Sequence, residues 1–340
     1  PSIAYGIPFM IRFRKILLSN EIIVLISFFL YPQLFFGQQY NFSKISIEEG
    51  LSSRGVYSIC EGPKGRLWIG LEGEGVNIYD GREIIHYSDH HLGQNVRVIF
   101  KDSRNKMWFG SSNQGISVLD NKKVFKINTD QGLFVNHIRG ITEDRNRNVW
   151  AATLGGGVTR IEGYKVTQNI SLKDGLPSLN CRAILMRSNG EMWVGTDKGI
   201  GVFENGKLLK VINRYSGLSQ NKILSLFEDS KGVVWIGTEK GLTLYNQGNF
   251  LIINSENGLR NQRIKTITAD KSHSVWLGTQ TGLGKVILKD FDSKSYKIVW
   301  YDDQNGLSNN RIRCLYKDKS GAVWMGTYLG GVNRLFNESF

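Results

Sequence analysis

The sequence predicts an all-β fold, a seven-bladed β-propeller of four-stranded antiparallel blades closed by its N-terminal strand. The main observation is a tryptophan that recurs at intervals of 40, 42, 43, 42, 41 and 48 residues, each time followed two residues later by a small residue. A period near 40 residues is typical of propeller blades and other repeat arrays. The second observation is that the two ends of the chain complement each other. The recurring tryptophans are Trp68, Trp108, Trp150, Trp193, Trp235, Trp276 and Trp324.

The repeat unit contains four short strand-like stretches, which the fifth repeat shows in order. Residues 221–228 predict a first strand, and the turn at 229–232 leads to a second strand over 233–237. A third strand over 242–245 and a fourth over 250–254 follow. Aspartate and glycine favour the tight turns between them. Four short antiparallel strands in each unit are typical of a propeller blade.

The residues before each tryptophan predict how neighbouring blades pack. The ninth residue before it is always Ile or Leu, and the tenth is mostly small. Large and small side chains in alternation let inner strands crowd around an axis. The tryptophan itself is interpreted as a wedge between adjacent sheets, and core packing explains its recurrence better than a ligand contact does.

The ends of the chain predict how the ring closes. The seventh repeat stops after its third strand, over residues 332–336, whereas residues 40–46 have the character of a fourth strand. They lead into Glu49-Gly50-Leu51, a tripeptide of the kind that follows the fourth strand in other repeats. The N-terminal strand is therefore expected to supply the outer strand of the seventh blade, which would leave no open gap in the ring.

The first 37 residues predict export. Three basic residues between positions 12 and 15 precede the apolar stretch 22–36, and the small residue Gly37 follows. This order describes a secretory signal peptide, and the stretch is short for a transmembrane helix. We therefore expect upstream residues and a signal peptide over 1–37 and the propeller over 38–340. An uncleaved membrane anchor is the alternative.

Charge and cysteine content narrow the class of partner. The chain carries a formal net charge of +13. For an exported protein this favours an anionic polymer or glycan over nucleic acid as the partner, and it favours a merely solvated basic surface over both. Cys60, Cys181 and Cys314 are read as buried, inert thiols, although Cys60 and Cys314 would lie in adjacent blades of a closed ring, which leaves a bridge between them open.

The repeat closely resembles that of the two-component regulator propeller family. The resemblance is carried by Asn-Gly-Leu at 257–259, Val-Trp-Leu-Gly-Thr at 275–279 and Asp-Ser-Lys-Gly-Val-Val-Trp-Ile-Gly-Thr at 229–238, and it covers residues 40–337. It implies the periplasmic sensor region of a hybrid histidine kinase of the Bacteroidetes type, responding to a carbohydrate-derived ligand. It also implies neighbouring domains or a second propeller as partners, and an intact protein anchored in the inner membrane. The kinase activity would then reside in domains outside this chain.

Catalytic chemistry has little support in the sequence. The five histidines show no metal-ligand spacing, and no nucleophile elbow, phosphate-binding loop or kinase signature occurs. Aspartates six residues before the tryptophan could suggest calcium, but each is better explained as the hydrogen-bonding residue of its own turn. These aspartates are Asp102, Asp144, Asp229, Asp270 and Asp318. We therefore predict no catalytic residue, no metal site and no cofactor.

Basic residues recur where the innermost strands begin, eleven and thirteen residues before the tryptophan. In a four-stranded meander these positions lie at one mouth of the central channel. Guanidinium groups there would favour a carboxylate or sulfate ligand, unless neighbouring Asp and Glu neutralise them. The predicted basic rim comprises Arg97, Arg139, Arg182, Lys222, Arg263, Lys265, Arg311 and Arg313.

The connection between the second and third strands predicts a second group of ligand-binding residues on the same face. It is one residue longer in repeats seven, one, two and three, which are contiguous in a closed ring. These raised loops are expected to display Glu72, Glu74, Ser111, Asn113, Gln114 and Tyr328. Loops on a rigid scaffold are where propellers usually bind.

A sensing or interaction propeller is the favoured function, with a small carbohydrate or other anionic ligand and no nucleic acid. The competing function is an exported propeller enzyme such as a lyase of anionic polysaccharides, which would require an acid–base group within one pocket. A third is a scaffold that binds no ligand and contributes dimer contacts. The sequence leaves a homodimer open.

Overall fold

The computed structural model describes residues 42–87, 92–270 and 274–335. The predicted signal peptide and the boundary at residue 38 lie outside these ranges. Over the described residues, 28 strands pair in seven four-stranded antiparallel sheets. This arrangement confirms the predicted seven-bladed propeller. No described helix has the length and apolar composition needed to cross a membrane.

Six blades are built from four strands consecutive in the chain, the first being innermost. Blade one contains β2 (Val56–Glu61), β3 (Leu67–Leu71), β4 (Val76–Tyr79) and β5 (Ile84–His86). Blade two contains β6 (Val96–Lys101), β7 (Met107–Ser111), β8 (Ile116–Asp120) and β9 (Lys123–Ile127). Blade three contains β10 (Ile138–Glu143), β11 (Val149–Thr153), β12 (Gly157–Glu162) and β13 (Lys165–Ile170).

The next three blades repeat this order. Blade four contains β14 (Cys181–Met186), β15 (Met192–Thr196), β16 (Gly199–Glu204) and β17 (Lys207–Ile212). Blade five contains β18 (Ile223–Glu228), β19 (Val234–Thr238), β20 (Gly241–Asn246) and β21 (Asn249–Ile253). Blade six contains β22 (Thr266–Ala269), β23 (Val275–Gly278), β24 (Leu283–Asp290) and β25 (Ser295–Tyr301). The long outer strands β24 and β25 account for the 48-residue interval that follows Trp276.

The seventh blade joins the two ends of the chain. It contains β26 (Ile312–Lys317), β27 (Val323–Thr327), β28 (Val332–Leu335) and, as its outer strand, β1 (Phe42–Ile45). The register runs from Phe42 opposite Leu335 to Ile45 opposite Val332. This confirms the predicted closure by the N-terminal strand.

The connection from one blade to the next contains a short 3-10 turn, a glycine and a buried leucine. At Thr129–Gln131, for example, Asn128 caps the turn, Gly132 adopts a left-handed φ of 100°, and Leu133 is buried. Comparable turns lie at Leu172–Asp174, Arg214–Ser216, Ser255–Asn257 and Asp303–Asn305, and a further 3-10 turn, Pro63–Gly65, lies within the β2–β3 hairpin. The leucines Leu51, Leu92, Leu133, Leu176, Leu218, Leu259 and Leu307 are all at most 4% exposed. The recurring leucine therefore anchors each connection to the core.

Seven apolar clusters fill the seven interfaces between blades, and each contains one repeat tryptophan. Trp235 of blade five packs with Ile267 and Leu277 of blade six. Trp324 of blade seven packs with Val56 and Ile69 of blade one, which completes the circle. The tryptophans therefore act as the predicted wedges.

The small residue two positions after each tryptophan is required by the close approach of the next blade. A Cβ atom on Gly237 would lie 2.2 Å from Ser225 Oγ and 2.6 Å from the carbonyl oxygen of Ile264. In blade three the glycine lies on the inner strand instead, where Gly140 is paired with Ala152. The pair still contains one glycine, which explains why alanine is accepted there.

A hydrogen bond from the indole ring fixes most tryptophans to the turn that precedes them. In blade five, Asp229 Oδ2 accepts from Trp235 Nε1 at 2.8 Å, while Oδ1 accepts from the backbone of Lys231 and Val233. Asp102, Asp144, Asp270 and Asp318 make the same indole contact at 2.8–3.0 Å. The interpretation of these aspartates as turn residues is confirmed.

Blades four and one depart from this arrangement. In blade four, Glu191 accepts from Trp193 Nε1 at 3.0 Å and also pairs with Arg187. In blade one the aspartate position is Gly62, and Trp68 Nε1 is buried without a hydrogen-bond partner. Trp68 instead packs its ring against Tyr87 and Phe109.

The three cysteines are free. The bridge between Cys60 and Cys314 that the sequence left open is therefore not formed in the structure. Burial raises the thiol pKa to about 11 for Cys60 and to about 12 for Cys181 and Cys314. Such thiols hold little thiolate at neutral pH, in agreement with their interpretation as inert core residues.

Deleting residues 40–47 should lower the melting temperature of the propeller by about 10 °C or more, because the deletion removes the β1–β28 ladder and the buried side chain of Ile45. Thermal unfolding followed by circular dichroism measures the effect. The substitution Ile45→Asp should reproduce most of the loss, whereas Lys44→Ser, on the exposed face of the same strand, should change little. A deletion variant that melts at the wild-type temperature would contradict the closure.

The substitution Asp229→Ala should lower the free energy of unfolding by about 2–3 kcal/mol, since it leaves a buried indole N–H and two turn amides without their acceptor. Denaturant unfolding measures this loss. Asp292→Ala, which removes an exposed carboxylate at the β24–β25 hairpin, is the matched control and should be close to neutral. Equal stability of the two variants would show that the carboxylate of Asp229 is dispensable.

Candidate functional site

One residue from every blade meets at a mouth of the central channel. These are the residues eleven positions before each tryptophan, where the innermost strand begins. Together with Arg263 they line a cavity of about 330 Å³. The seven residues, in blade order, are Tyr57, Arg97, Arg139, Arg182, Leu224, Lys265 and Arg313.

The structure brings six of the eight predicted rim residues together in this cavity. The other two, Lys222 and Arg311, do not line it. Lys222 Nζ lies 2.9 Å from a carboxylate oxygen of Glu239. The guanidinium of Arg311 lies 4.1 Å from the ring centre of Tyr328. Both residues therefore contact the turns beside the mouth rather than the cavity itself.

Three carboxylates neutralise part of the rim, and all three lie four residues after a tryptophan. Asp197 binds Arg182 through two hydrogen bonds, the shorter 2.6 Å long. Glu72 accepts from Arg313 at 2.7 Å. Glu239 pairs with Lys222 and, at 3.6 Å, with Arg263. The alternative of a rim answered by neighbouring acids therefore holds for one part of the ring.

The remaining cations have no such partner. In blades two, three and six the position four residues after the tryptophan holds Ser112, Leu154 and Gln280. The rim cations of these same blades are Arg97, Arg139 and Lys265. Among the described residues, none of the three forms an ion pair with Asp or Glu, and Nε of Arg97 and of Arg139 is buried without a hydrogen-bond partner.

The crowding of these cations lowers their pKa values. Burial, followed by the charges of Arg97 and Arg182, lowers the pKa of Arg139 to about 10. Burial, followed by Arg313 and Arg263, lowers the pKa of Lys265 to about 8. His137, beside this group, has its pKa lowered to about 4 by burial and by Arg139, and its buried Nε2 has no partner. The mouth thus disfavours further positive charge and would be stabilised by an anion.

Tyr57 provides an aromatic surface between two of the arginines. The guanidinium groups of Arg97 and Arg313 lie 4.1 Å and 4.5 Å from its ring centre. Its hydroxyl donates to Glu72 at 2.7 Å and accepts from Arg97 at 3.3 Å. Burial and the hydrogen bond to Glu72 raise its pKa, so the hydroxyl keeps its proton at neutral pH.

The predicted loop residues differ in how exposed they are. Glu74, Asn113 and Gln114 are exposed, whereas Glu72 and Tyr328 are half-buried beside the rim arginines. Ser111 was wrongly assigned to the displayed surface. It ends strand β7, is only 1% exposed, and its hydroxyl accepts from the backbone of Gln114 at 2.7 Å. Its role is to close the turn.

The connections that carry these residues emerge on one face, as predicted. The backbone N–H of Gly75, in the turn of blade one, donates to Gln94 in the connection to blade two at 2.9 Å. Corresponding bonds join Gly115 to Asn136, Gly199 to Asn221, Gly241 to Gln262, Gly282 to Asn310 and Gly331 to Arg54. The turns and the rim therefore form one hydrogen-bonded surface.

Sequence reasoning missed Asp197, Glu239 and Tyr57 as components of the mouth. A signal for the two acids was present, because they occupy the position of Glu72 relative to their own tryptophans. His137 had a signal as well, since it lies thirteen residues before Trp150, the position of Arg263 in its repeat.

Comparison with known proteins identifies the family of three repeats. The family model described as "Two component regulator propeller" matches residues 50–73, 217–240 and 306–329, in blades one, five and seven. No curated protein matches the sequence.

Solved structures of similar fold include extracellular domains of two-component systems and enzymes. The extracellular domain of a hybrid two-component system from B. thetaiotaomicron is 28% identical, with a TM-score of 0.76 over 88% of this chain and 41% of that chain. A second such domain from B. thetaiotaomicron is 24% identical, with a TM-score of 0.70 over 88% and 40%. An inactive virginiamycin B lyase from Staphylococcus aureus, with quinupristin, is 16% identical, with a TM-score of 0.68 over 88% and 99%.

The solved structures and the family model support different conclusions. At 16% and 24% identity the likeness shows the fold alone, so the lyase carries no chemistry over to this chain. The chain spans about two fifths of the length of the two extracellular domains. The family model, in contrast, matches the Gly-Leu connection and the tryptophan strand of three separate blades. The repeats in blades one, five and seven therefore belong to the two-component regulator propeller family.

Proposed function

We propose that this propeller is the extracytoplasmic sensing and interaction module of a two-component signalling protein, and that a carbohydrate-derived anionic ligand binds at the basic mouth. The family of the repeats supports the signalling context. The extracellular location of the similar domains supports a site outside the cytoplasm. The proposal includes export by the predicted signal peptide and anchoring of the intact protein in the inner membrane. The kinase would belong to other domains of that protein.

The observation that carries the proposal is the incomplete neutralisation of the mouth. Arg139 and Lys265 face one cavity without a described carboxylate partner, and their lowered pKa values reflect the cost of holding them charged together. A bound anion would remove this cost and would be held by charge-assisted hydrogen bonds. Packing alone does not require cations here, since Leu224 and Tyr57 occupy the same position in blades five and one.

The size and chemistry of the cavity suit a single charged sugar unit rather than a long buried chain. Its volume of about 330 Å³ lies at the small end of ligand pockets. Guanidinium groups bind planar carboxylates and sulfates through paired hydrogen bonds, and Tyr57 adds an aromatic surface to the same wall. The remainder of an oligosaccharide would extend over the exposed turns that carry Glu74, Asn113 and Gln114.

Partners other than a small ligand belong to the same proposal. An acidic surface of a neighbouring domain, a second propeller or the other copy of a homodimer would satisfy the same charges. An isolated propeller distinguishes these cases, because a soluble ligand binds to it in the absence of any other domain.

The double substitution Arg139→Gln/Lys265→Gln should weaken binding of uronate-containing or sulfated oligosaccharides roughly tenfold to a hundredfold, since it removes two charge-assisted contacts. Isothermal titration calorimetry of the isolated propeller measures this, and affinity should also fall with added salt. The matched control is Lys123→Gln/Lys207→Gln, which removes two exposed cations at outer hairpins and should bind as the wild type does.

Thermal unfolding of the double variant provides a second test. Folding lowers the pKa of Lys265 to about 8. The charged amine therefore destabilises the fold at pH values below 8. This destabilisation is lost as the pH rises from 8 towards the pKa that the lysine has in the unfolded chain. The double variant should therefore be as stable as the wild type, or more stable, at pH 7. Unfolding of the variant would identify the two residues as structural.

The competing enzyme function makes a different prediction. The purified propeller should release no product from acidic polysaccharides, as measured by new reducing ends and by the absorbance of unsaturated uronate. The physical reason is that Tyr57, the phenol in the cavity, has a raised pKa and donates to Glu72, so it is not available as a base. Product formation that is abolished by Tyr57→Phe or His137→Gln would establish a lyase instead.

A further inference from the structure

Lys265 is the one amine among the residues that line the cavity, whose other cations are arginines. It lies immediately before strand β22, and its backbone N–H donates to the carbonyl oxygen of Gly278 at 2.9 Å. Lys265 is exposed to the solvent of the channel, while the protein atoms around the mouth still reduce the hydration of its amine. A solute that enters the mouth can therefore reach the amine, and Arg139, Arg263 and Arg313 line the same space.

Two features of this environment favour the neutral amine. No described carboxylate pairs with Lys265, in contrast to Arg182, which Asp197 holds at 2.6 Å. Burial and the neighbouring arginines lower the pKa of Lys265 to about 8. At pH 7.5 about a quarter of the amine would then be unprotonated, compared with roughly one part in a thousand for an ordinary lysine. Lysines in desolvated, cationic surroundings are the ones that act as nucleophiles towards carbonyl groups.

We propose that Lys265 reversibly captures, as a Schiff base, small molecules that carry both a carbonyl group and an anionic group, such as the open-chain form of an acidic sugar with a free reducing end. This inference rests on the proposed function, because the same mouth must attract the anionic group. The arginines across and beside the cavity hold that group and thereby bring the carbonyl carbon to the amine.

The reaction is balanced without any additional reactant. The neutral amine of Lys265 attacks the carbonyl carbon, and proton transfer from nitrogen to oxygen gives a carbinolamine. The hydroxyl group and the remaining proton on the nitrogen then leave together as water, which gives an imine between the lysine nitrogen and the ligand carbon. Water reverses both steps, so the adduct persists only while the ligand is present.

Glyoxylate, a small aldehyde with a carboxylate, tests the proposal in the presence of cyanoborohydride, which reduces the imine to a stable carboxymethyl-lysine. Peptide mass spectrometry of the full propeller compares labelling of each lysine. Lys265 should be labelled at least about tenfold faster than exposed Lys123 at pH 7.5, with a rate that levels off above pH 8. Inorganic sulfate should slow it, and glycolaldehyde, a neutral aldehyde of similar size, should lack the preference.

Variants separate the contributions to this reactivity. Lys265→Arg should abolish the adduct at this site. Arg139→Gln should slow labelling of Lys265 about fivefold or more, because it removes an anion-binding group and a charge that lowers the amine pKa. Arg66→Gln, which removes an exposed cation on the β2–β3 hairpin, is the matched control and should leave the rate unchanged.

The outcomes distinguish this inference from the proposed function. Equal labelling of Lys265 and Lys123, or equal preference for glyoxylate and glycolaldehyde, would overturn covalent capture even if acidic oligosaccharides bind at the mouth. Selective labelling of Lys265 in a propeller that binds no acidic oligosaccharide would support the amine site and reject the sensing proposal.

Discussion

The fold depends on the contact that each repeat tryptophan makes with the inner strands of the following blade. The contact requires an indole of fixed orientation, which the carboxylate of the preceding turn provides in most blades, for example Asp229 for Trp235. It also requires the blades to approach closely, which the glycine two residues later permits. Where one component is absent, another compensates, as with Glu191 in blade four and the Gly140–Ala152 pair in blade three. Each interface is thus a local arrangement repeated seven times.

This arrangement leaves the mouth of the channel free to vary. The residue eleven positions before the tryptophan faces the axis, and its side chain makes no contribution to the apolar interfaces. Whether its charge is neutralised depends instead on the residue four positions after a tryptophan, which forms an ion pair with it only where that residue is a carboxylate. Because blade six lies across a seven-membered ring from blades two and three, the unanswered cations Arg97, Arg139 and Lys265 face one another over the cavity. The charge of the mouth is therefore set independently of the packing.

Much of the fold could be predicted because its determinants recur in register along the chain. The blade number, the strand order and the closing strand all follow from positions counted relative to tryptophan. The details of the mouth could not be predicted in this way, since an ion pair such as Glu72 with Arg313 joins residues from opposite ends of the sequence. Ser111 shows a related limit, because loop length does not reveal which side chain turns inward to close the loop. The lowered pKa of Lys265 likewise depends on arginine charges from several blades.

Ring closure has a consequence for how the protein folds during its synthesis. Strand β1 is the first of the 28 described strands to leave the ribosome, and its partner β28 is the last of them. Until then the apolar face of blade one that receives Trp324 has no cover. Native contacts of such long sequence separation form slowly, and the uncovered surfaces promote association of nascent chains in the meantime. A propeller of this type is therefore expected to depend on chaperones that bind its uncovered surfaces until its last blade has been synthesised.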